Sequence, residues 1–336
     1  MVTIKDVAER AGVSTSTVSY VLSGARKISA GTREVVRQAI DELGYHPHAS
    51  ARALRAARTR VLALALPQTT RSYRAVDGRF IHDLSVAAVR QGHDLLLMTA
   101  QEGVPGLRRI ARGRLADAGI LMAVDLDDPR IEAMREANFP IAVVGRPTTT
   151  LGTPWTDLDF EQAAVLALGD LASAGHHRLA YLAVTEQEIQ ARRSYAAHGL
   201  AGARRAAGQL AGSVEILHST SDRLELRRRL AALFAMPDAP TALAVQDAAA
   251  ARVVVDALAE QGMRVPSDVS VVLIGTLPDD PEHVAFRRVE LPVERMAEHA
   301  TALAIAAVDD PTSGTRVLIP PDLLPGPSVA PPREAG

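Results

Sequence analysis

Four hydroxyl-bearing side chains near the N-terminus share one side of a predicted short helix. Thr15, Ser16, Ser19 and Tyr20 follow the segment A-G-V-S, and the aliphatic residues between them would point the opposite way. A hydroxyl group can both donate and accept a hydrogen bond. At the start of a helix that enters the major groove of DNA, such groups meet the edges of the bases. These four residues are therefore our candidates for base-reading side chains.

Basic side chains are concentrated in the same part of the chain. Residues 1–60 hold ten Lys and Arg against five Asp and Glu, a net charge of +5, and because the whole chain carries −2 the remainder carries −7. Phosphate neutralisation is local to the surface that touches DNA. A basic head on an acidic body is therefore typical of a DNA-binding module joined to a larger regulatory domain.

Three short helices are predicted to position the candidate readers. Thr3 begins a first amphipathic helix that Gly12 ends, and Ser14 can cap a second helix about three residues later. A third helix is predicted between a cap at Ser29 and a stop at Gly44. Two helices joined by so short a turn are typical of a helix-turn-helix, with the second helix as the reader.

The segment after the third helix has the composition of a helix that forms only when it binds a partner. Pro47 interrupts the chain, and the nine residues that follow Pro47 and His48, A-S-A-R-A-L-R-A-A, are too few to form a stable helix alone. We expect this segment to order only on binding, because new contacts must offset the entropy of ordering. Arg52 and Arg55 are candidates for groove and phosphate contacts.

From residue 60 onward, short aliphatic runs alternate with helical patterns. Alternation of this kind predicts parallel sheets covered by helices on both faces. Ligands of such sheets bind beyond the carboxyl ends of the strands. The predicted strands cover residues 61–66, 95–98, 119–124, 141–144, 179–183, 214–217, 242–245 and 269–275.

Residues just past these strand ends are candidates for contacts to a small-molecule effector. An aromatic ring among them could stack on a ligand, and the polar side chains could hydrogen-bond to it. The candidates are Tyr73, Arg146, Arg192, Gln246, Asp247 and Thr276.

The chain lacks the sequence signals of an enzyme or a metal site. It has no dinucleotide fingerprint, P-loop, nucleophile elbow or zinc-protease motif, and it contains no Cys. His176 and His177 are adjacent and would point in different directions. We expect no catalytic residue, no metal and no cofactor. With no export signal and no apolar run of about 18 residues, we expect a cytoplasmic protein without a membrane partner.

Two long segments of the head carry a family resemblance. IKDVAERAGVSTSTVSYVLSG and ISAGTREVVRQAIDELGYHPHASARAL resemble the head of the lactose repressor (LacI/GalR) family of bacterial transcription regulators. The resemblance implies major-groove readers at Thr15, Ser16 and Tyr20. It also implies a hinge helix over 49–56 that orders on operator DNA, with Leu54 wedged into a central base step of the minor groove.

The body resembles the core of the same family, which is similar to periplasmic sugar-binding proteins. The matching segments include PIAVVGR, GHHRLAYLA, PTALAVQDAAAA and GMRVPSDVSVVLIG. The implied fold is an all-α helix-turn-helix head plus an α/β core of two doubly wound parallel-sheet subdomains. We predict a head over 1–46, a hinge over 47–59 and a core over 60–336. Within the core, subdomain 1 takes about 60–160 and 290–320, and subdomain 2 takes about 161–289 and 321–336.

Two positions depart from the family pattern. Family members commonly have an arginine three residues before the glycine that matches Gly199, and an aspartate two residues after the glycine that matches Gly275. This chain has Ala196 and Leu277 there. An apolar side chain cannot pair with a buried ligand hydroxyl, and an unmet hydrogen bond costs about 1–3 kcal/mol. Either the effector is less polar or held differently, or the body has lost small-molecule sensing.

These observations together predict a homodimeric regulator, expected to act as a repressor. It would bind a near-palindromic operator in double-stranded DNA and respond to a sugar or other metabolite in the cleft between the subdomains. Three alternatives stay open: a DNA-binding regulator or architectural protein without sensing, a solute-binding protein, and an enzyme on the same core fold.

Overall fold

The chain folds into two units. The structure, a computed structural model, describes residues 2–23, 26–45, 58–66, 75–98, 103–278 and 280–333. One unit, the head, consists of Met1–Arg60 with Arg114–Ala116. The other, the core, consists of Val61–Gly113 and Asp117–Gly336.

The head contains three helices, α1 (Ile4–Arg10), α2 (Thr15–Ser23) and α3 (Ala30–Leu43). Each begins at a predicted polar residue. The Asp6 carboxylate accepts hydrogen bonds from the Thr3 backbone N–H at 2.7 Å and the Thr3 hydroxyl at 2.8 Å. Gly44 ends α3 in the left-handed region, with φ 58°, where glycine avoids the strain of a side chain.

One small apolar core closes the head. Val7, Val18 and Val36 contribute one fully buried side chain from each helix, and they pack in a single cluster. Tyr45, which follows α3, is also buried in that cluster although the helix pattern did not include it. The three helices of the head therefore share a common interior.

The core contains two six-stranded sheets, and each sheet with its covering helices is a lobe. The first sheet has the strand order β11-β5-β4-β3-β1-β2 and belongs to lobe 1. All its neighbouring strands pair in parallel. Its strands are β1 (Val61–Ala65), β2 (Asp94–Met98), β3 (Ala118–Leu121), β4 (Ile141–Val144), β5 (Trp155–Leu158) and β11 (Arg316–Ile319).

The second sheet has the strand order β12-β10-β9-β8-β6-β7 and belongs to lobe 2. Its neighbouring strands are parallel except the β10–β12 pair, which is antiparallel. Its strands are β6 (Arg178–Thr185), β7 (Ser213–Ser219), β8 (Ala242–Val245), β9 (Ser270–Thr276), β10 (Arg287–Glu290) and β12 (Leu323–Leu324).

Helices connect successive strands and cover the sheets, as parallel pairing requires. Lobe 1 contains α4 (Ala75–Arg90), α5 (Gly103–Gly113), α6 (Pro129–Glu136) and α12 (Val293–Ala307). Lobe 2 contains α7 (Phe160–Ser173), α8 (Glu186–Gln190), α9 (Ser194–Gln209), α10 (Arg223–Phe234) and α11 (Ala251–Glu260). The chain passes between the lobes after β5, after β10 and after β11, so three connections join them.

All eight strands predicted from aliphatic runs are present, with ends displaced by a few residues. Four further strands, β5, β10, β11 and β12, were not predicted. Polar side chains explain two of these omissions: β5 contains Thr156 and Asp157, and β10 begins with Arg287 and Arg288. The predicted all-α head and two-lobed parallel α/β core are confirmed.

Candidate functional sites

The first candidate site is the exposed side of α2. The Ser14 hydroxyl accepts a hydrogen bond of 3.1 Å from the Thr17 backbone N–H and so caps this helix. Thr15 and Ser16 follow the cap and are exposed. Tyr20 is 37% exposed, one turn further along the same helix.

The same helix is anchored from its other side. Val18 is fully buried in the head core, and partly buried Val21 and Leu22 pack against it. This anchoring fixes which side of α2 faces outward. Ser19, half-buried, lies at the margin between the two sides.

A basic side chain that the sequence pattern did not single out lies beside Tyr20. The guanidinium carbon of Arg26 is 6.0 Å from the centre of the Tyr20 ring. That distance is at the outer limit of a cation–π contact. The contact adds positive charge next to the candidate readers.

The predicted hinge contacts Arg52, Leu54 and Arg55 lie outside the described residues, as does Tyr73.

The second candidate site lies where the two lobes meet within the core. Asp125, just beyond β3 in lobe 1, and Arg193, just before α9 in lobe 2, form an antiparallel backbone bridge. The Leu126 N–H donates to the Arg192 carbonyl, and the Ser194 N–H donates to the Val124 carbonyl, each at 2.9 Å. The lobes are therefore joined here by backbone hydrogen bonds in addition to the three chain crossings.

Charged side chains reinforce this bridge. The Arg193 guanidinium lies 2.9 Å from the Asp125 carboxylate and donates to the Ala123 carbonyl at 2.8 Å. Burial raises the pKa of Asp125, although Arg193 opposes the effect. Burial would also raise the pKa of Asp128, but hydrogen bonds and charge from Arg130 hold it below its usual range. Both of these carboxylates of lobe 1 are therefore paired with an arginine, Asp125 with Arg193 of lobe 2 and Asp128 with Arg130 of lobe 1.

Arg146, a predicted effector contact, is placed by the glycine before it. Gly145 has φ 129°, and a Cβ there would lie 2.6 Å from Cγ2 of Val124. Only glycine fits this approach without displacement. The turn directs the Arg146 backbone toward Ser194, whose hydroxyl accepts from the Arg146 N–H and donates to the Arg146 carbonyl, both at 2.9 Å.

The Arg146 side chain crosses to lobe 2. Its Nη2 lies 2.6 Å from Nδ1 of His198 and 3.4 Å from a carboxylate oxygen of Glu161. Its Nε is 3.0 Å from Nε2 of His198, and that nitrogen is 3.0 Å from the Arg146 carbonyl. With the proton on Nε2, His198 donates to the carbonyl and accepts from Nη2 through Nδ1, and Nε2 then does not accept from the Arg146 Nε–H. This tautomer is assigned from the surrounding partners.

The charge state of His198 follows from the same neighbours. Burial lowers the pKa of His198, and the positive charge of Arg146 lowers it further. The hydrogen bond to the Arg146 carbonyl, which is the second-largest effect after burial, and the carboxylates of Glu161 and Asp159 raise the pKa, but the net shift is downward. His198 is therefore the neutral partner of a guanidinium group.

Gln246, another predicted contact, is already paired within lobe 2. Its side-chain oxygen accepts from the Tyr181 hydroxyl at 3.0 Å, and its side-chain nitrogen donates to the Tyr195 carbonyl at 2.8 Å. A Cβ on Gly199 would lie 2.3 Å from this nitrogen, so the glycine allows α9 to approach. The Gln246 amide thus ties α9 to the strands of lobe 2.

The remaining predicted contacts occupy different surroundings. Asp247, just past β8, accepts a hydrogen bond of 2.6 Å from the Ser219 hydroxyl at the end of the edge strand β7, two strands away. Thr276 is fully buried at the end of β9. Arg192 is exposed and forms an ion pair of 3.1 Å with Asp127 of lobe 1. Arg146 and Arg192 thus both reach the other lobe, whereas Gln246 and Asp247 bond within lobe 2.

The two residues that depart from the family pattern, Ala196 and Leu277, lie in apolar surroundings. Ala196 is fully buried in the first turn of α9. Leu277 packs against the main apolar cluster of the core. Neither side chain offers a polar anchor to the cleft.

Asp157 is a buried carboxyl that sequence reasoning missed. It lies on β5 and is 3% exposed, and one of its oxygens has no hydrogen-bond partner. Burial raises its pKa to about 8, against the opposing charge of Arg146. No local signal marks this residue, because only the packing of β5 between β4 and β11 buries it.

A cavity of about 130 Å³ lies beyond the ends of β1, β2 and β3. Apolar side chains form most of its wall, and the charged pairs described above form the remainder. The five described effector candidates are not among its lining residues. The lining residues are Ala65, Leu66, Met98, Gly103, Val104, Leu107, Asp125, Asp128, Pro129, Arg130 and Arg193.

Within the described ranges, no group of three or more His, Asp or Glu side chains is arranged to hold a metal ion. No helix in the part of the chain that the structure describes is long and apolar enough to cross a bilayer.

The two parts of the chain match different families of known sequences. Residues 3–48 match the bacterial regulatory proteins of the lacI family, and residues 168–329 match the periplasmic binding protein-like domain. The transcriptional repressor PurR of Mannheimia succiniciproducens is 29% identical over 279 residues, 81% of each chain. The transcriptional regulator CelR of Thermobifida fusca is 33% identical over 190 residues, 54% of this chain and 55% of that protein.

Comparison with solved structures covers nearly the whole chain. A complex of the transcriptional regulator CelR with cellobiose has a TM-score of 0.68 and 26% identity, covering 98% of this chain and 100% of that one. The lac repressor dimer bound to operator and the anti-inducer ONPF has a TM-score of 0.82 and 22% identity, covering 98% and 99%. At the latter identity the likeness concerns the fold.

A helix-turn-helix head followed by a two-lobed periplasmic-binding-like core defines a class, the bacterial DNA-binding transcription regulators. The head match covers all of α1, α2 and α3, including the candidate readers. The chain contains a LacI-family helix-turn-helix domain and a periplasmic-binding-like domain, which confirms the resemblance found in the sequence.

Proposed function

We propose that this protein is a homodimeric transcriptional repressor that reads a near-palindromic operator through α2. The observation that carries the proposal is the capped helix whose outward side presents Thr15, Ser16 and Tyr20 while Val18 anchors it in the head core. Ser19 lies at the margin of the same surface. Dimer symmetry would present two such helices to two half-sites.

DNA binding would combine three kinds of contact. Hydroxyl groups of Thr15 and Ser16 would hydrogen-bond to base edges in the major groove. Basic side chains, among them Arg26, Arg52 and Arg55, would neutralise phosphates and supply the salt-dependent part of the affinity. Leu54 would wedge a base step in the minor groove at an unstacking cost of a few kcal/mol, offset by contacts to the bent duplex.

We further propose that closure of the cleft between the lobes controls DNA binding. A metabolite bound there would favour one arrangement of the lobes, a coupling of about 1–3 kcal/mol in typical cases. The solved CelR complex with cellobiose supports a small-molecule ligand for this fold. Arg146, Arg192, Gln246, Asp247, Thr276 and Tyr73 remain our candidates for contacting it.

The proposed organisation keeps a head over 1–46, a hinge over 47–59 and a core over 60–336. We propose that the chain acts by binding rather than by catalysis, because its relatives are regulators. Because the proposed partner is operator DNA in a bacterial chromosome, we propose that the protein acts in the cytoplasm.

Operator selection tests the proposal. Full-length protein is incubated with a random duplex library at physiological salt, and the retained sequences are read after several rounds. We expect a near-palindrome with half-sites one helical turn apart, or a multiple of it. Retention without any sequence preference would contradict specific DNA binding.

A pair of variants assigns the readers. Ser16→Ala should change the preferred bases at one position of each half-site and cost about 1–3 kcal/mol per contact. Ser173→Ala, an exposed substitution in the core, should leave the selected operator unchanged. An unaltered site preference for Ser16→Ala would remove this residue from the reading surface.

A further inference from the structure

We propose that Arg146, Ser194 and His198 form a latch that holds the two lobes together through the chain's own atoms, and that protonation of His198 releases it. The latch is defined by these three residues. Its control of lobe closure stands on the geometry of the core alone. Its effect on DNA rests on the proposed function.

Both the backbone and the side chain of Arg146 contribute to the latch. The backbone N–H and carbonyl are both hydrogen-bonded to the hydroxyl of Ser194, a residue that is 1% exposed. The guanidinium contacts His198, and the same carbonyl accepts from His198 Nε2. One lobe 1 residue is therefore held at three points by α9 of lobe 2.

The latch requires neutral imidazole. Nδ1 of His198 accepts a hydrogen bond from Arg146 Nη2 at 2.6 Å, which it can do only without a proton. Protonation would place an N–H opposite a guanidinium N–H and would bring two like charges together in a half-buried site. The contact would then change from attraction to repulsion.

Other charged groups around His198 do not cancel this effect. Glu161 and Asp159, at the start of α7, favour the protonated form. Glu161 is, however, already paired with Arg205 at 2.6 Å as well as with Arg146 at 3.4 Å. Arg146 is thus the charged group in hydrogen-bond contact with the ring, and the carboxylates act from a greater distance.

The direction of the pH response follows from linkage. In the latched state the pKa of His198 lies below its ordinary value of 6.5. An unlatched state, with His198 exposed to water, binds the proton more tightly. The latch therefore has its full strength above about pH 6.5, and acid shifts the equilibrium toward open lobes by up to about tenfold per pH unit below it.

The absence of Cys from the chain allows a direct measurement of lobe closure. Ala137→Cys in lobe 1 and Ala259→Cys in lobe 2 place one fluorophore on each lobe at exposed positions. Energy transfer between them is followed in the full-length protein as the pH falls from about 8 to about 5. We expect transfer to change with a midpoint below 6.5.

Three variants separate the latch from other titrating groups. His198→Gln keeps one donor and one acceptor but cannot titrate, so transfer should stay at the closed value at every pH. His198→Ala should give the open value throughout. His177→Gln, at an exposed histidine of lobe 2, should retain the pH response of the unmodified protein.

Two results would overturn the latch: no change of energy transfer with pH in the unmodified protein, or an unchanged pH response in His198→Gln. Operator affinity, measured over the same pH range, gives a separate reading. If energy transfer follows the expected course while operator affinity does not change, the latch stands and cleft control of DNA binding is contradicted.

Discussion

A Cβ on Gly145 would lie 2.6 Å from Cγ2 of Val124, closer than packed atoms tolerate. Gly145 also has φ 129°, which strains any residue with a side chain. Both residues follow strands of lobe 1, and the segment after Gly145 carries Arg146 to the other lobe. The close packing of the Val124 side chain against the Gly145 backbone therefore fixes where the interlobe contacts of Arg146 begin.

Gly145→Ala should lower the free energy of unfolding by about 1–3 kcal/mol, because it adds a clash to a strained backbone. Chemical denaturation of the full-length protein measures this change. Gly208→Ala is the matched control: apart from its own stretch of helix, no atom lies within 4 Å of its Cβ position, and in helix α9 alanine should stabilise by up to about 1 kcal/mol. Equal destabilisation by both variants would contradict the packing argument.

Asp157 should make the protein less stable as the pH rises. Its folded pKa, about 8, lies above its ordinary 3.8, so the folded chain holds this proton more tightly than the unfolded chain. Its contribution is fully present below about pH 3.8 and is lost as the pH rises toward 8. The free energy of unfolding, measured by urea denaturation across this pH range, should therefore fall as the pH rises and the Asp157 contribution is lost.

Asp157→Asn should remove that decline. The stability difference between the variant and the unmodified protein should grow with pH, by at most about 1.4 kcal/mol per pH unit. Asp322→Asn, at an exposed position, should leave the pH dependence unchanged. A constant difference between Asp157→Asn and the unmodified protein at all pH values would show that Asp157 is ionised in the fold.

Ser14→Ala should weaken operator binding by loosening the first turn of α2. The lost cap costs about 0.5–2 kcal/mol of helix stability, and amide exchange in α2 should quicken accordingly. Ser14→Asn retains a capping oxygen and should stay close to the unmodified protein in both measurements. If the Ala and Asn variants lose affinity equally, the Ser14 side chain acts in another way than as a cap.

The head could be predicted from sequence because its signals are local. Thr3, Ser14, Ser29 and Gly44 lie at the helix ends where short-range hydrogen bonds and backbone conformation decide the structure. Buried strands of the core were predictable for the same reason, since aliphatic runs identify them. Tyr45 was not, because its burial depends on the packing of three helices together.

The interlobe contacts could be predicted only in part. Arg146 was named from its place after β4, but its partners Ser194 and His198 are 48 and 52 residues away in the chain. No short-range pattern links residues so far apart. Gln246 was also named, yet its amide bonds to Tyr181 and to the backbone within its own lobe.

The backbone bridge beside Arg193 has a consequence for α9. A helix leaves its first N–H groups without partners inside the helix, and here the first of them, from Ser194, finds its acceptor on Val124 of the opposite lobe. Separating the lobes would uncap α9 and expose that amide to solvent. The N-terminal end of α9 is thus expected to fray whenever the cleft opens. Slow hydrogen exchange of the Ser194 amide would therefore indicate that the two lobes are in contact.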